Sequence, residues 1–208
     1  MALNFEDTLK MTGHFELFAF EGETPIISGS RIIYDKNKTK LIESYSDHNL
    51  IVSTGRKAVK DAMTPLNEAH YDINGNPIQG NPITYLACGC GAYGMDGDEP
   101  VIDTKNPPAP PSSATDRLTK EVYRTTFSSI EPVSALSVRF VATIPLKYPA
   151  DTYPEKVNPD GSQQDIDTWI NEYGLILADG TTLFAKVNKK STPKSGDMSL
   201  IVRWVINF

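Results

Sequence analysis

The chain has 208 residues with 20 Lys plus Arg against 26 Asp plus Glu, a formal charge of −6, and 39% hydrophobic residues. That is one ordinary domain, or one domain with a small appendage, with enough apolar side chains for a sizeable core, and the acidic balance argues against nucleic acid as a partner, because phosphate binding needs a basic surface. No apolar run reaches the roughly eighteen residues of a membrane span, the first thirty residues lack the basic-then-apolar order of a signal peptide, and two cysteines cannot build a disulfide framework; folding in a cytoplasm is expected.

In chain order, Met1 to Lys10 is polar and reads as an arm. His14 to Phe20, Ile26-Ile27, Arg31 to Tyr34 and Lys40 to Tyr45 are strand candidates broken by the turn Asp35-Lys36-Asn37-Lys38-Thr39. Together they predict a small N-terminal β-ribbon, and the arm plus ribbon is set at residues 1–46. From Asn49 the period changes. Ala58, Val59, Ala62 and Met63 fall on one helical face, with Thr54 expected as the cap and Pro65 as the stop. His70 to Asn81 reads as a loop, and Pro82 to Tyr93 as a strand carrying Cys88-Gly89-Cys90-Gly91. Met95 to Thr115 is the longest irregular stretch, acidic first and then rich in proline. An excursion of that length is functional, extends over a neighbour, or is a solvated surface loop. A helical turn is expected over Thr115 to Tyr123, then strands at Tyr123 to Ser128 and Leu136 to Ile144, then a second long loop over Pro145 to Gln164.

The chain closes on what reads as a three-strand antiparallel meander, Trp169 to Phe208. Asp179-Gly180 is a hairpin turn that suits φ > 0. Asn188 to Asp197 is expected as a polar loop, so that Lys186, Lys189, Lys190 and Lys194 surround a solvated hairpin tip. Met198, Leu200, Val202, Trp204, Ile206 and Phe208 alternate, which places one face of the last strand in the core. The fold class is therefore mainly β: an antiparallel β-sandwich with one or two short helices, a core over residues 47–208 and the N-terminal ribbon before it.

Few residues suggest chemistry. Cys88 and Cys90 could ligate a soft metal, but zinc needs further ligands, and His14, His48 and His70 show no paired spacing; two thiols buried beside glycines is the plainer expectation. Asp72-Ile73-Asn74-Gly75-Asn76 opens like a calcium loop, yet Pro77 and Ile83 break the pattern, which leaves turn chemistry. Asp96, Asp98 and Glu99 are a second cation candidate of the same standing. No nucleophile elbow, P-loop or dinucleotide motif is present. Glu172, inside an apolar strand, is expected to be hydrogen-bonded or paired and to tie a neighbouring loop. No catalytic, cofactor-binding or metal residue is assigned, and no enzymatic activity is expected.

Four blocks carry a resemblance. They are Asn49-Leu50-Ile51-Val52-Ser53-Thr54-Gly55 leading to Ala58; Ile83 to Gly91; Leu118-Thr119-Lys120-Glu121-Val122-Tyr123-Arg124-Thr125; and Ile170-Asn171-Glu172-Tyr173-Gly174-Leu175. Their order and spacing resemble tailed-bacteriophage virion proteins that include the phage tail-collar fibre domain. Cys88 and Cys90 stand where that group more often has Val and a small polar residue, and Ile176 where Phe is common. The resemblance implies a structural protein of a tailed-phage virion. It would be an adaptor in the tail, baseplate or neck/collar, present in multiple copies as a homo-oligomeric ring, touching other virion proteins and anchoring fibres. It would be assembled in the host cytoplasm, with no nucleic acid and no membrane as partner. Fibre proteins continue into a trimeric shaft where this chain ends at Phe208, which implies a stand-alone part. The proline-rich stretch and the N-terminal arm would lie on adjacent subunits, with strand addition at the ribbon's edges. The alternative is a carbohydrate- or receptor-binding β-sandwich on the particle surface, with Tyr71, Tyr85, Tyr93 and Tyr148 as stacking faces.

Overall fold

The computed structural model describes residues 11–29, 31–63, 70–78, 80–145 and 168–208. The expected arm, Pro65, Tyr148 and nearly all of the second long loop lie outside them. Fifteen strands and one helix are present among the described residues: β1 Thr12–Gly22, β2 Ile26–Ser28, β3 Arg31–Ile33, β4 Thr39–Ile51, α1 Ser53–Met63, β5 His70–Tyr71, β6 Pro77–Ile78, β7 Ile83–Gly89, β8 Met95–Asp96, β9 Glu99–Pro100, β10 Glu121–Thr126, β11 Ser129–Ser134, β12 Ser137–Ile144, β13 Thr168–Leu177, β14 Leu183–Lys194 and β15 Met198–Asn207. The protein is mainly β, as expected.

Nine strands form one curled antiparallel sheet in the order β10-β7-β13-β14-β4-β1-β15-β12-β11. It bends between β14 and β4, which share only the pairs Ala185↔Ile51 and Lys186↔Leu50. The two arms of the curl face each other as the layers of a sandwich, and β10 comes near β12 at the far side. Phe15 of β1 touches both layers: its ring lies 5.1 Å from Tyr173 of β13 and 5.0 Å from Trp204 of β15. All three rings are buried, and aromatic pairs at these separations add to their burial.

Several expectations need correcting. The last three strands are no meander: β13 pairs with β14, but β15 lies in the other layer between β1 and β12. A short turn after Lys194 sends the chain across. β15 is buried on both sides, because Met198, Leu200, Val202, Trp204 and Ile206 face the core while Ser199 and Ile201 are covered on the outer face. Nor is the N-terminal ribbon an appendage with free edges. β1 is an interior strand, hydrogen-bonded to β15 and β4, and Phe15, Leu17 and Ala19 share one core cluster with residues of 47–208. Only β2 and β3 stand apart, as a two-stranded hairpin lying on the outer face of that layer.

The expected helical turn over Thr115 to Tyr123 is irregular chain leading into β10. β11, whose alternation Pro132 and Val133 break, is not among the strands expected from the sequence, and the expected loop at His70 to Asn81 holds the β5–β6 hairpin. Thr54 does not cap α1. Val52 accepts the first helical bond, from Arg56 N–H, and the Thr54 hydroxyl donates to Leu183 O at 2.5 Å. Ala58 and Val59 face the core as read, whereas Ala62 is exposed.

Candidate functional site

β13 is where polar chemistry is concentrated. Its odd residues Tyr173, Leu175 and Leu177 join the main core, and Glu172, Gly174 and Ile176 face the outside of the layer. That outer face is roofed by the segment before β10, whose Leu118 is buried against Ile176 and Leu183. Glu172 is fully buried beneath the roof. Its carboxylate accepts from the backbone N–H groups of Gly91 (3.2 Å), Thr119 (2.9 Å) and Lys120 (2.8 Å), and pairs with Lys186 Nζ at 2.6 Å. Glu172 therefore ties two loops to the sheet, the role its sequence context suggests. Gly89 is required there: a Cβ would lie 2.6 Å from Glu172 Oε1 and closer still to Lys120 O.

Three residues of β14, Lys189, Lys190 and Ser191, bulge opposite Asn171 alone. Asn171 fills the bulge, donating to Ser191 Oγ and accepting from Ala92 N–H. The expected solvated lysine tip does not exist. Lys186, Lys189 and Lys194 are buried and only Lys190 is exposed, because β14 runs on to Lys194 with its apolar stems inside. Lys189 spans the gap between layers where β14 and β4 diverge, bonding Glu43 at 2.8 Å and Thr192, with its ammonium 5.2 Å from the centre of the Tyr45 ring. Burial lowers the Lys189 pKa, and Glu43 opposes that. Lys194 donates only to Ser195 O among the bonds seen, and burial brings its pKa down to about 8 against the opposing pull of Cys88 and Asp197.

Cys88 and Cys90 are buried core thiols, as expected. Burial pushes the Cys88 pKa well above its ordinary value, with Glu121 and Cys90 adding to the rise. A neutral, inaccessible thiol is a poor nucleophile and a poor partner for a disulfide with another subunit. Among the described residues no group of three or more His, Cys, Asp or Glu is placed to hold a metal ion. The Asp72 carboxylate is used by its own turn, accepting from Asn74 N–H, Asn76 N–H and Asn76 Nδ2. Of the tyrosines, Tyr71 is exposed, Tyr85 lies under Arg124 at 5.7 Å, and the Tyr93 hydroxyl donates to Asn106 O.

Asp179 holds the β13–β14 turn, with Gly180 at φ 72° as the turn requires. Its carboxylate accepts from Thr181 and Thr182 N–H, Thr182 Oγ1 and Asn81 Nδ2. Partial burial pushes its pKa up, but these hydrogen bonds outweigh it and hold the group at about 2. A depressed carboxylate stabilises the fold above its unfolded pKa and loses that contribution as pH falls through the folded one. The window here is about pH 4 to 2, and after discounting for exposure the effect is about 1 kcal/mol. Asp179→Asn is expected to lower stability by that amount at pH 7 and to flatten this part of the acid-unfolding curve, measured by urea titration at stepped pH.

Two surface features remain. The β2–β3 hairpin reads apolar on both faces. Ile27 and Ile32 pair and pack on Phe18, Phe20, Val141 and Ile201, whereas their neighbours Ile26 and Ile33, also paired, are 68% and 51% exposed. The hairpin crosses the outer face, so that its turn at Gly29 lies beside Glu131 of β11. At the end of the same layer Val133, Leu136 and Phe208 are exposed, Phe208 N–H bonding Leu136 O. The proline-rich stretch is also tied to its own chain at two points. Ala109 O accepts from Asn188 Nδ2 and Ser113 O from Ser53 N–H. Compared with protein-family models, curated proteins and solved structures, the chain gives no match.

Proposed function

We propose that this protein is a structural component of a tailed-phage virion, an adaptor of the tail, baseplate or neck/collar built in with several copies. The four sequence blocks support the reading through their resemblance. The observation that carries it is the Ile26–Ile33 pair. A strand pair apolar on both faces is normally covered on both, and this one is covered by its own sheet on one side only. β11, the sheet edge below it, carries Pro132 and a paired Glu131, features that discourage strand addition. Contact between copies or with a neighbouring virion protein therefore runs through side chains of the hairpin rather than through the β11 edge.

The test is an Ile26→Asp, Ile33→Asp double variant of the full chain. It should keep the wild-type melting temperature to within a few degrees, because both residues are exposed. The wild type should self-associate, or bind proteins encoded beside its gene, in sedimentation, and the double variant should lose that association. A wild-type chain that stays monomeric, alone and with those neighbours, overturns the reading.

A further inference from the structure

We propose that His14 and His48 form a surface site for one divalent transition-metal ion of the borderline class, such as Zn²⁺, Ni²⁺ or Cu²⁺. The two histidines are 34 positions apart and share no local motif, so the sequence pattern alone does not bring them together. The register of β1 and β4 does: His14 stands directly opposite His48. Their ring centroids are 5.9 Å apart at an interplanar angle of 66°. Both side chains lie on the outer face of the layer, His48 exposed and His14 half-buried. Zn–N bonds of 2.0–2.1 Å at near-tetrahedral angles ask for ring nitrogens about 3.3 Å apart. Side chains directly opposite on neighbouring strands have Cβ atoms about 5 Å apart, a separation from which two imidazoles can be turned toward a shared centre.

Further polar side chains surround the pair. Glu16 follows His14 on the same face and stands opposite Ser46, so four donor side chains form a two-by-two block on the sheet. Ser46 Oγ lies 3.2 Å from His14 Nε2, and the Glu16 carboxylate reaches Arg203 Nε at 3.0 Å. The two imidazoles supply the ligands. Glu16 is ion-paired with Arg203 and so adds no net charge beside them. Open positions on the ion are left for water or for a group on a neighbouring molecule. Imidazole donors select this class of metal over Mg²⁺ and Ca²⁺, which prefer oxygen.

The test uses the full chain, stripped with chelator, and ZnCl₂, NiCl₂ and MgCl₂ as separate probes. Calorimetric titration should give one Zn²⁺ or Ni²⁺ per chain and no heat with Mg²⁺. Thermal melting should shift up by roughly 5 °C at a hundredfold excess over the dissociation constant. His48→Ala, at an exposed position, should abolish both effects while leaving the metal-free melting temperature in place. His70→Ala should leave metal binding intact. Cu²⁺ loaded at one equivalent should show two equatorial nitrogens by electron paramagnetic resonance, a signature that a merely structural histidine pair would not give. Absence of binding at millimolar metal overturns the proposal. So does binding that survives His48→Ala, or binding lost in His70→Ala.

Discussion

Replacing Glu172 with alanine is expected to cost about 4 kcal/mol of unfolding free energy, read by urea denaturation at neutral pH. The carboxylate is fully buried, and it is the acceptor for three backbone N–H groups and the counter-charge for Lys186, itself buried. Removing it strands all four. An orphaned buried N–H costs about 1–3 kcal/mol where water cannot reach it, and a lone buried ammonium costs more unless it loses its proton. Water entering the space left by the side chain recovers part of this, which is why the expected loss is below the sum. Two further variants separate the causes. Glu172→Gln keeps an acceptor oxygen but not the charge, and should fall between wild type and alanine. Glu172→Ala with Lys186→Met removes both charges and should be more stable than Glu172→Ala alone, so that the pair shows a coupling of the magnitude seen for residues in direct contact. If the double variant is no better than the single one, the carboxylate acts through the loop amides and the ion pair contributes little. Hydrogen exchange adds a local readout: the amides of Gly91, Thr119 and Lys120 should lose protection before the core strands do.

Much of the fold was legible because strand periodicity is a local signal. The alternation of Met198 to Ile206, the Asp179-Gly180 turn and the apolar run of β13 each appear within a dozen residues, and each matches the structure. What could not be read was which strand pairs with which. A hairpin turn specifies its two strands, but the turn after Lys194 is as compatible with a crossing between layers as with a third strand of a meander. The choice rests on long-range burial: β15 is apolar enough on both sides to serve as an interior strand, Ile201 included. Polar residues misled for a related reason. Lys186, Lys189 and Lys194 look solvated in isolation, and their burial depends on Glu172, on Glu43 far away in sequence, and on Ser195 O. The His14–His48 pair was hidden likewise, since its spacing belongs to the register of β1 with β4. The exposed Ile26–Ile33 pair could have been found earlier: four isoleucines in two adjacent doublets around a Gly-containing turn are apolar on both faces of a hairpin, and only one face can lie on its own sheet.

Gly55→Ala is expected to destabilise the protein by about 2–3 kcal/mol, at the upper end of what one added methyl group costs in a packed site. Helix propensity favours alanine over glycine by up to about 1 kcal/mol, less in the first turn where Gly55 lies, so a loss reverses the sign that propensity alone predicts. The reason is the approach of α1 to β14. A Cβ at position 55 would sit 2.8 Å from both the Cα and the carbonyl carbon of Phe184 and closer still to its oxygen, all of them backbone atoms that cannot turn aside. The contact cannot open by moving the helix alone. Val52 N–H donates to Phe184 O, Thr54 Oγ1 donates to Leu183 O, and Ser53 N–H holds Ser113 O, so the first turn is fixed to β14 on one side and to the proline-rich segment on the other. Shifting α1 outward by the roughly half ångström to one ångström a methyl group needs would lengthen the two bonds to β14 and disturb the one to Ser113 O. Equilibrium unfolding of Gly55→Ala beside an exposed control in the same helix, Lys57→Ala, checks this: the control should move stability by less than about 0.5 kcal/mol, and its helix content should stay unchanged. A Gly55→Ala protein as stable as wild type, or more so, would mean that α1 rides on the sheet loosely enough to yield, and the close fit of its first turn to β14 would then not be what orients the helix.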